Sequence, residues 1–399
     1  STRKESSAAS DVYKRQTQYF MNSSDHKTAT YCEIMQQPDV WLKAYDLVCR
    51  NEAAIQTFIS NNHIGKDTEI ILAGAGTSAF IGNALAGIFV EKGYSQCRAV
   101  ATTDIITYPE SCLPTGKPVV LISFARSGNS PESLASVHIA DKYCKKVFHI
   151  IITCNETGDL AREGSRDNVL LVLLPPETND KGLAMTSSFT TMALVSILIF
   201  NIEQLPAQRS KIEAIVTFAR DILKSGEKSL FEIAARKFGR AVFLGSGALK
   251  GIAEECHLKL QELTDGLVVC KFDSFLGFRH GPKAVINEDT VLVYLCSDDE
   301  KVFHYERDLI RQINENNKVV AQIAVSPSGI VIPGVNLDCV VAATNPGELQ
   351  KNEYACIPYV LVGQLLGYFK SENLGLNPDE PSVSGNISRV VEGVKIYDL

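Results

Sequence analysis

The sequence predicts an α/β protein made of two doubly wound parallel sheets in tandem, preceded by a helical segment. Three observations carry this expectation. Short aliphatic runs such as EIILA at 69–73 and PVVLIS at 118–123 are bounded by turn residues, as buried parallel strands are. From about residue 67 to about 205, such runs alternate with stretches of helical spacing. The glycine pair Gly74 and Gly76 recurs 171 residues later as Gly245 and Gly247, each pair directly after an aliphatic run, which marks an internal repeat.

In chain order, residues 1–27 are polar, begin without Met and show no clear period; they read as a disordered or non-native leader, with Met21 a candidate start. Over 28–66, Ile34, Trp41, Leu42, Tyr45, Val48, Ile55 and Phe58 fall at helical spacings, predicting one or two helices. The first sheet domain is expected over 67–209. Its strands are predicted at 69–73, 99–102, 119–123, 147–153 and 169–174, with helices after Ser78, Ser130 and Ser188. The second is expected over 210–399, with an amphipathic helix at 212–223 and strands at 240–244 and 291–296.

Composition bounds the function. The 399 residues, 45% of them hydrophobic, can fill more than one core. The longest apolar stretch, 192–202, is too short for a bilayer and is interrupted by Ser196 and Asn201, so no membrane span is expected. With 39 basic and 46 acidic residues the net charge is −7, and no basic tract interleaves with aromatics, which argues against nucleic acid as a partner. Eleven cysteines lie scattered without CxxC pairs, as reduced thiols in a cytoplasmic protein would, and no metal site is expected from them.

The chemistry begins where strands end. The turns at Gly74-Ala75-Gly76-Thr77-Ser78 and at SGNSPES from Ser127 place small and hydroxyl residues at helix starts, where free N–H groups and the helix dipole favour an anion. Neither turn carries the lysine of a nucleotide P-loop, so the expected ligand is a small phosphorylated metabolite. Tight turning explains the glycine pair equally well, and SGNSPES also reads as an ordinary capped helix with Pro131 in its first turn; the two turns together favour phosphate. The second half has Ser297-Asp298-Asp299-Glu300 after its later strand, and three carboxylates repel a phosphate, so that half is expected to supply something else. Two stretches offer it. Glu255, Lys259 and Glu262 are spaced four and three apart on one helix face, a pattern that serves an exposed ion pair as readily as catalysis. His280 lies between Arg279 and Gly281-Pro282 in a glycine-rich turn, where an imidazole is either a proton-transfer group or a structural one.

These features, with GLAMTSSFTTM from Gly182, HLKLQEL from His257, FRHGP from Phe278 and NPDEPSVSGNISRVVEGV from Asn377, resemble the sugar isomerase (SIS) superfamily over roughly residues 28–399. Within it they are most similar to the AgaS-type amino-sugar-phosphate deaminase/isomerases. The resemblance implies phosphate binding by Ser78, Ser127 and Ser130, with backbone N–H groups around Arg126 and Gly128. It also implies a sugar contact at Thr77, Met185 and Thr186 beside Lys259, Glu262 as the base moving a proton between C2 and C1, and His280 opening the sugar ring in a neighbouring subunit. The implied reaction is conversion of galactosamine 6-phosphate to tagatose 6-phosphate and ammonia, without a cofactor, by a homodimer or homotetramer; plain aldose/ketose isomerisation and non-catalytic sensing are the alternatives. One departure stands out. Related synthases carry a C-terminal lysine at the sugar, whereas this tail has Ser388-Arg389-Val390-Val391 with no lysine in register, leaving Arg389 or Lys395 as candidates.

Overall fold

The computed structural model describes residues 28–391 and 393–397; the leader expected at 1–27 lies outside the described residues. The described residues open with three helices: α1 (Ala29–Met35), α2 (Gln37–Arg50) and α3 (Glu52–Asn61). The first sheet follows, with β1 (Glu69–Gly74), α4 (Thr77–Glu91), β2 (Cys97–Ala101), β3 (Val119–Ala125), α5 (Pro131–Tyr143), β4 (Val147–Thr153) and β5 (Val169–Leu173). Helices α6 (Ser187–Ile199), α7 (Leu205–Asp221) and α8 (Glu227–Ala234) lead to the second sheet. That sheet comprises β6 (Arg240–Gly245), α9 (Ala248–Leu263), β7 (Val269–Asp273), β8 (Thr290–Leu295), α10 (Glu300–Asn316), β9 (Ala321–Val325) and β10 (Cys339–Val341), and α11 (Val360–Asn373) closes the described helices.

Both sheets are wholly parallel, and both have the same topology. The first runs β2-β1-β3-β4-β5 and the second β7-β6-β8-β9-β10. The repeat expected from the glycine spacing is present in atomic detail. A Cβ on Gly74 would fall 2.4 Å from the Ser78 backbone, and one on Gly245 would fall 2.2 Å from that of Leu249, so each strand can meet its following helix only through glycine. Gly76 (φ 54, ψ −130) and Gly247 (φ 56, ψ −128) share a left-handed conformation that other residues rarely adopt.

The second strand departs from expectation. It runs Cys97–Ala101 rather than 99–102, because Ile70–Gly74 pairs in register with Cys97–Ala101 and Arg98 is held by Glu69 at 3.2 Å, while Thr102 already begins a short helix. The amphipathic helix expected at 212–223 starts earlier, at Leu205, so the expected boundary at 209/210 falls within α7.

One continuous core runs between the sheets. Helix α6, the apolar stretch of the sequence, is buried at every residue and packs on α2 and α4; Trp41 of α2 donates to Thr190 on α6 at 3.0 Å. Among the described residues no single helix is long and apolar enough to cross a membrane. Leu258, Leu260 and Leu263 of helix α9 form no single apolar stripe, because the helix is contacted by α4, α11, β6 and β7 at once. Glycine permits two of these approaches: a Cβ on Gly251 would lie 2.4 Å from the Ala84 backbone, and one on Gly363 would lie 2.6 Å from Cys256. Helices α4 and α9 therefore cross closely, which brings residues of the second half over the carboxyl end of the first sheet.

Candidate active site

At the carboxyl ends of β1 and β3, where the strand order reverses, the chain leaves a cavity of about 570 Å³. This is the switch point at which open α/β sheets bind ligands, and the size suits a small metabolite. The two turns singled out in the sequence form its floor. Thr77, Ser78, Arg126, Ser127, Ser130 and Met185 all line it, together with Lys259 and Glu262 from α9.

The helix starts are left open. Ser130 is the N-cap of α5, yet its side chain makes no capping hydrogen bond, and α4 begins at Gly76 without any side-chain cap. No side chain therefore covers either helix start, and the hydroxyls beside them face an anion at the positive end of each helix. Pro131 brings no N–H, however, and the Ser78 and Ser133 N–H groups already bond the Ala75 and Ser130 carbonyls at 3.1 and 3.0 Å. Gly128 (φ 66) turns the loop, its carbonyl accepting from Leu160 N–H at 2.9 Å, and Asn155 fixes the Ser127 carbonyl at 2.7 Å. Ser133, in the first turn of α5 and nearly fully buried, adds another hydroxyl to the lining. The sequence reading passed over it, although it lies within SGNSPES.

The opposite wall carries charge. Lys259 Nζ lies 2.6 Å from Glu262 Oε2, 3.3 Å from Glu255 Oε1 and 3.0 Å from the Thr77 hydroxyl. The side chains of Lys259 and Glu255 are 1% and 0% exposed, so this is not the solvated ion pair that their spacing also allowed, while Glu262 keeps 22% exposure toward the cavity. Two carboxylates share one ammonium. Burial pushes Glu255 up to about 8, with Lys259 pulling against it and Glu262 adding to it. Burial also works against the Lys259 ammonium, but the carboxylates outweigh it and its pKa stands above the ordinary value. Lys259 therefore remains a cation that orients the Glu262 carboxylate.

The remaining expected residues are placed differently. Thr186 is buried, and its hydroxyl donates to Asp180, which also accepts from the N–H groups of Thr186, Ser187 and Ser188 at the start of α6; it is outside the lining and shapes the loop that carries Met185. His280 lies in the turn after β7, outside the lining of its own chain's cavity. The Arg126 side chain turns to backbone carbonyls of Gly182, Leu183 and Arg389. Of the two candidates for the missing lysine, Lys395 sits in a separate depression, over the Tyr397 ring. Arg389 lines the cavity, but its guanidinium binds Asn179 and the Asp180 carbonyl. The tail itself, residues 385–389 and 391, forms a wall of the cavity. Among the described residues no group of three or more His, Cys, Asp or Glu side chains is arranged to hold a metal ion.

Comparison with known proteins agrees with this architecture. A SIS domain model matches residues 63–201. D-galactosamine-6-phosphate deaminase AgaS of Escherichia coli O157:H7 is 36% identical over 378 residues, spanning 93% of this chain and 96% of that one. AgaS of Shewanella sp. (strain ANA-3) is 36% identical over 370 residues, covering 92% and 90%. The crystal structure of tagatose-6-phosphate ketose/aldose isomerase from Escherichia coli superposes with a TM-score of 0.85 at 33% identity, covering 93% of this chain and 96% of that one. With tandem parallel sheets, an open double-hydroxyl seat and nearly end-to-end similarity, the chain belongs to the AgaS group of SIS-domain proteins.

Proposed function

We propose that this protein converts D-galactosamine 6-phosphate to D-tagatose 6-phosphate and ammonia, as part of amino-sugar catabolism. The observation that carries the reading is the pairing, in one cavity, of an uncapped hydroxyl-rich anion seat with a carboxylate held by a buried lysine. The phosphate sits on Ser78, Ser127, Ser130 and Ser133 and the N–H groups around Arg126 and Gly128. Charge-assisted hydrogen bonds at two helix starts then fix the far end of the open-chain sugar and hold C1 and C2 against Glu262.

Glu262 removes the proton from C2 while the C1 carbonyl oxygen takes a proton, giving an enolamine. Return of the proton to C1 leaves a C1 alcohol and a C2 imine. Water adds to the imine carbon, the nitrogen leaves as ammonia, and the ketose carbonyl remains. Lys259 aims Glu262 at the sugar, and Glu255 holds Lys259 from behind.

Ring opening is assigned to His280 from a neighbouring subunit, which makes the working unit a homodimer or homotetramer in the cytoplasm. The exposed apolar side chains Leu267, Val269 and Leu276, in and flanking edge strand β7, support an interface between copies there. A second reading, plain ketose/aldose isomerisation without nitrogen release, is favoured by the similarity to the E. coli tagatose-6-phosphate ketose/aldose isomerase.

The deciding experiment supplies purified protein with galactosamine 6-phosphate, glucosamine 6-phosphate and tagatose 6-phosphate in parallel. Ammonia appearing in step with a ketose phosphate, fastest from the galacto sugar, is the expected result. Interconversion of tagatose 6-phosphate with its aldose and no ammonia from either amino sugar would replace deamination by isomerisation.

A further inference from the structure

We propose that Arg389 is a positioning residue of this reaction, and that the substrate phosphate itself draws the carboxyl-terminal tail shut through it. The proposal rests on the cavity being an anion site of the kind described above. Three segments distant in sequence meet at its rim: the end of β3, the 179–185 loop and the tail. Arg126, leaving β3, donates to the carbonyls of Gly182 at 3.2 Å, Leu183 at 2.9 Å and Arg389 at 2.6 Å. Arg389 donates back across the same gap, Nε to the Asp180 carbonyl at 3.0 Å and a terminal nitrogen to Asn179 Oδ1 at 3.0 Å. Each arginine thus ties the tail to the loop from the opposite side, and tail residues from Gly385 to Arg389 become a wall of the cavity.

The charges make this more than a structural staple. All the acceptors named are neutral oxygens, and among the described residues neither guanidinium forms an ion pair. Arg126 is buried, which pushes its pKa down, and Arg389 beside it pushes it down further although the Asp180 charge opposes both. Two like charges are therefore held together next to Ser127 with no counter-ion bonded to either. A phosphate dianion on the Ser127 and Ser130 seat supplies that counter-charge, so it stabilises the tied tail relative to a released one. Asp265, just beyond α9, holds the other end of the segment by accepting from Ser384 N–H at 2.9 Å and from its hydroxyl at 2.7 Å. The tail is thereby fastened to both the phosphate side and the Glu262 side.

Limited trypsin digestion of the wild-type protein reads this directly, because the exposed Arg389 is itself a cleavage site. Inorganic phosphate and tagatose 6-phosphate are expected to slow cleavage after Arg389 several-fold, and unphosphorylated tagatose to leave it unchanged. Equal cleavage with and without phosphate overturns the proposal. Because inorganic phosphate carries the charge without the sugar, its protection stands or falls independently of the amino-sugar assignment. Kinetics supply the second arm. Arg389→Ala is expected to raise KM about ten-fold or more with kcat within about three-fold, and Arg389→Lys, which keeps the charge with fewer donors, to recover part of the loss. A fall in kcat at constant KM would instead put Arg389 on the reacting atoms, and kcat and KM both unchanged would remove it from the site; either result overturns the positioning role.

Discussion

The two halves of this molecule share a backbone plan and differ in what they do with it. Each has a parallel sheet of the same order, a Gly-x-Gly turn after its first strand, and a loop after its third strand that opens on a serine. Even the loop geometry repeats, with Asn129 N–H donating to Ser127 Oγ at 3.3 Å and Asp299 N–H donating to Ser297 Oγ at 3.1 Å. The helix starts diverge. Ser130 leaves the start of α5 uncapped, whereas Asp299 caps α10 by accepting from Val302 N–H at 3.0 Å. The fully buried Glu306 then accepts from Ser297 N–H at 2.9 Å. The second half has met its own backbone donors with its own carboxylates. A repeated fold supplies two potential anion seats, and side chains at a few positions decide which one stays open.

The largest expected effect breaks the catalytic side of this contrast. Glu262→Gln preserves the size of the side chain and removes its basicity, so kcat for ammonia release should fall by about 10² to 10⁴, the usual range for one acid/base group. Binding of tagatose 6-phosphate, measured by calorimetry, should stay within a few-fold, because the seat lies on the first half. Turnover near the wild-type rate would show that another group moves the proton.

Next in size is a matched pair of double variants. Ser127→Ala with Ser130→Ala removes two hydroxyls from a charged ligand, each worth roughly 1.5–3 kcal/mol, and should weaken sugar-phosphate binding by about 10² or more. Ser246→Ala with Ser297→Ala removes two hydroxyls from the turns after the first and third strands of the second half and should leave KM within about two-fold. If the second pair weakened binding as much as the first, the halves would not be divided in the way their helix starts indicate.

Much of this was legible in the sequence, and the limits of legibility have a physical pattern. Strands buried on both faces write themselves as aliphatic runs, so β1, β3 and β4 were placed within a few residues, and the glycine pairs announced the repeat because a Cβ there would collide with backbone. The seat serines and the face shared by Glu255, Lys259 and Glu262 were readable for the same reason, since local spacing fixes them. Long-range partners were not readable. Whether Glu255 and Lys259 were exposed or buried depended on Gly251 letting α9 approach α4, and the role of Arg389 depended on carbonyls some two hundred residues away. The partner of Thr186 was not readable either, because a hydroxyl at a helix start can face a ligand or a capping carboxylate, and Asp180 is near enough to bond it. Glu33, which holds the Lys181 and Gly182 N–H groups and so shapes the substrate loop from α1, left no local signal at all.

The smallest effect tests the closed half by itself. Burial raises the Glu306 carboxyl from an ordinary 4.5 to about 6, with hydrogen bonds from Ser246 and Ser297 N–H opposing it and the nearby Asp298 charge adding to it. A raised carboxyl pKa means that the folded state holds the proton more tightly than the unfolded one. Its contribution to stability is therefore fully present below about pH 4.5 and is lost as pH rises through about 6. At 1.36 kcal/mol for each pKa unit, that loss comes to about 2 kcal/mol. Glu306→Gln keeps an oxygen to accept from Ser297 N–H but cannot ionise, so its unfolding free energy should lack this component. The gap between variant and wild type, followed by urea denaturation from about pH 4.5 to above about pH 7, should move in favour of the variant by about 2 kcal/mol. Other buried carboxyls such as Glu33 and Glu255 titrate in both proteins and cancel in the difference. A constant gap across that range would mean that the charge on Glu306 is compensated in the folded protein, and kcat/KM should be unaltered by the substitution because the seat it closes takes no substrate.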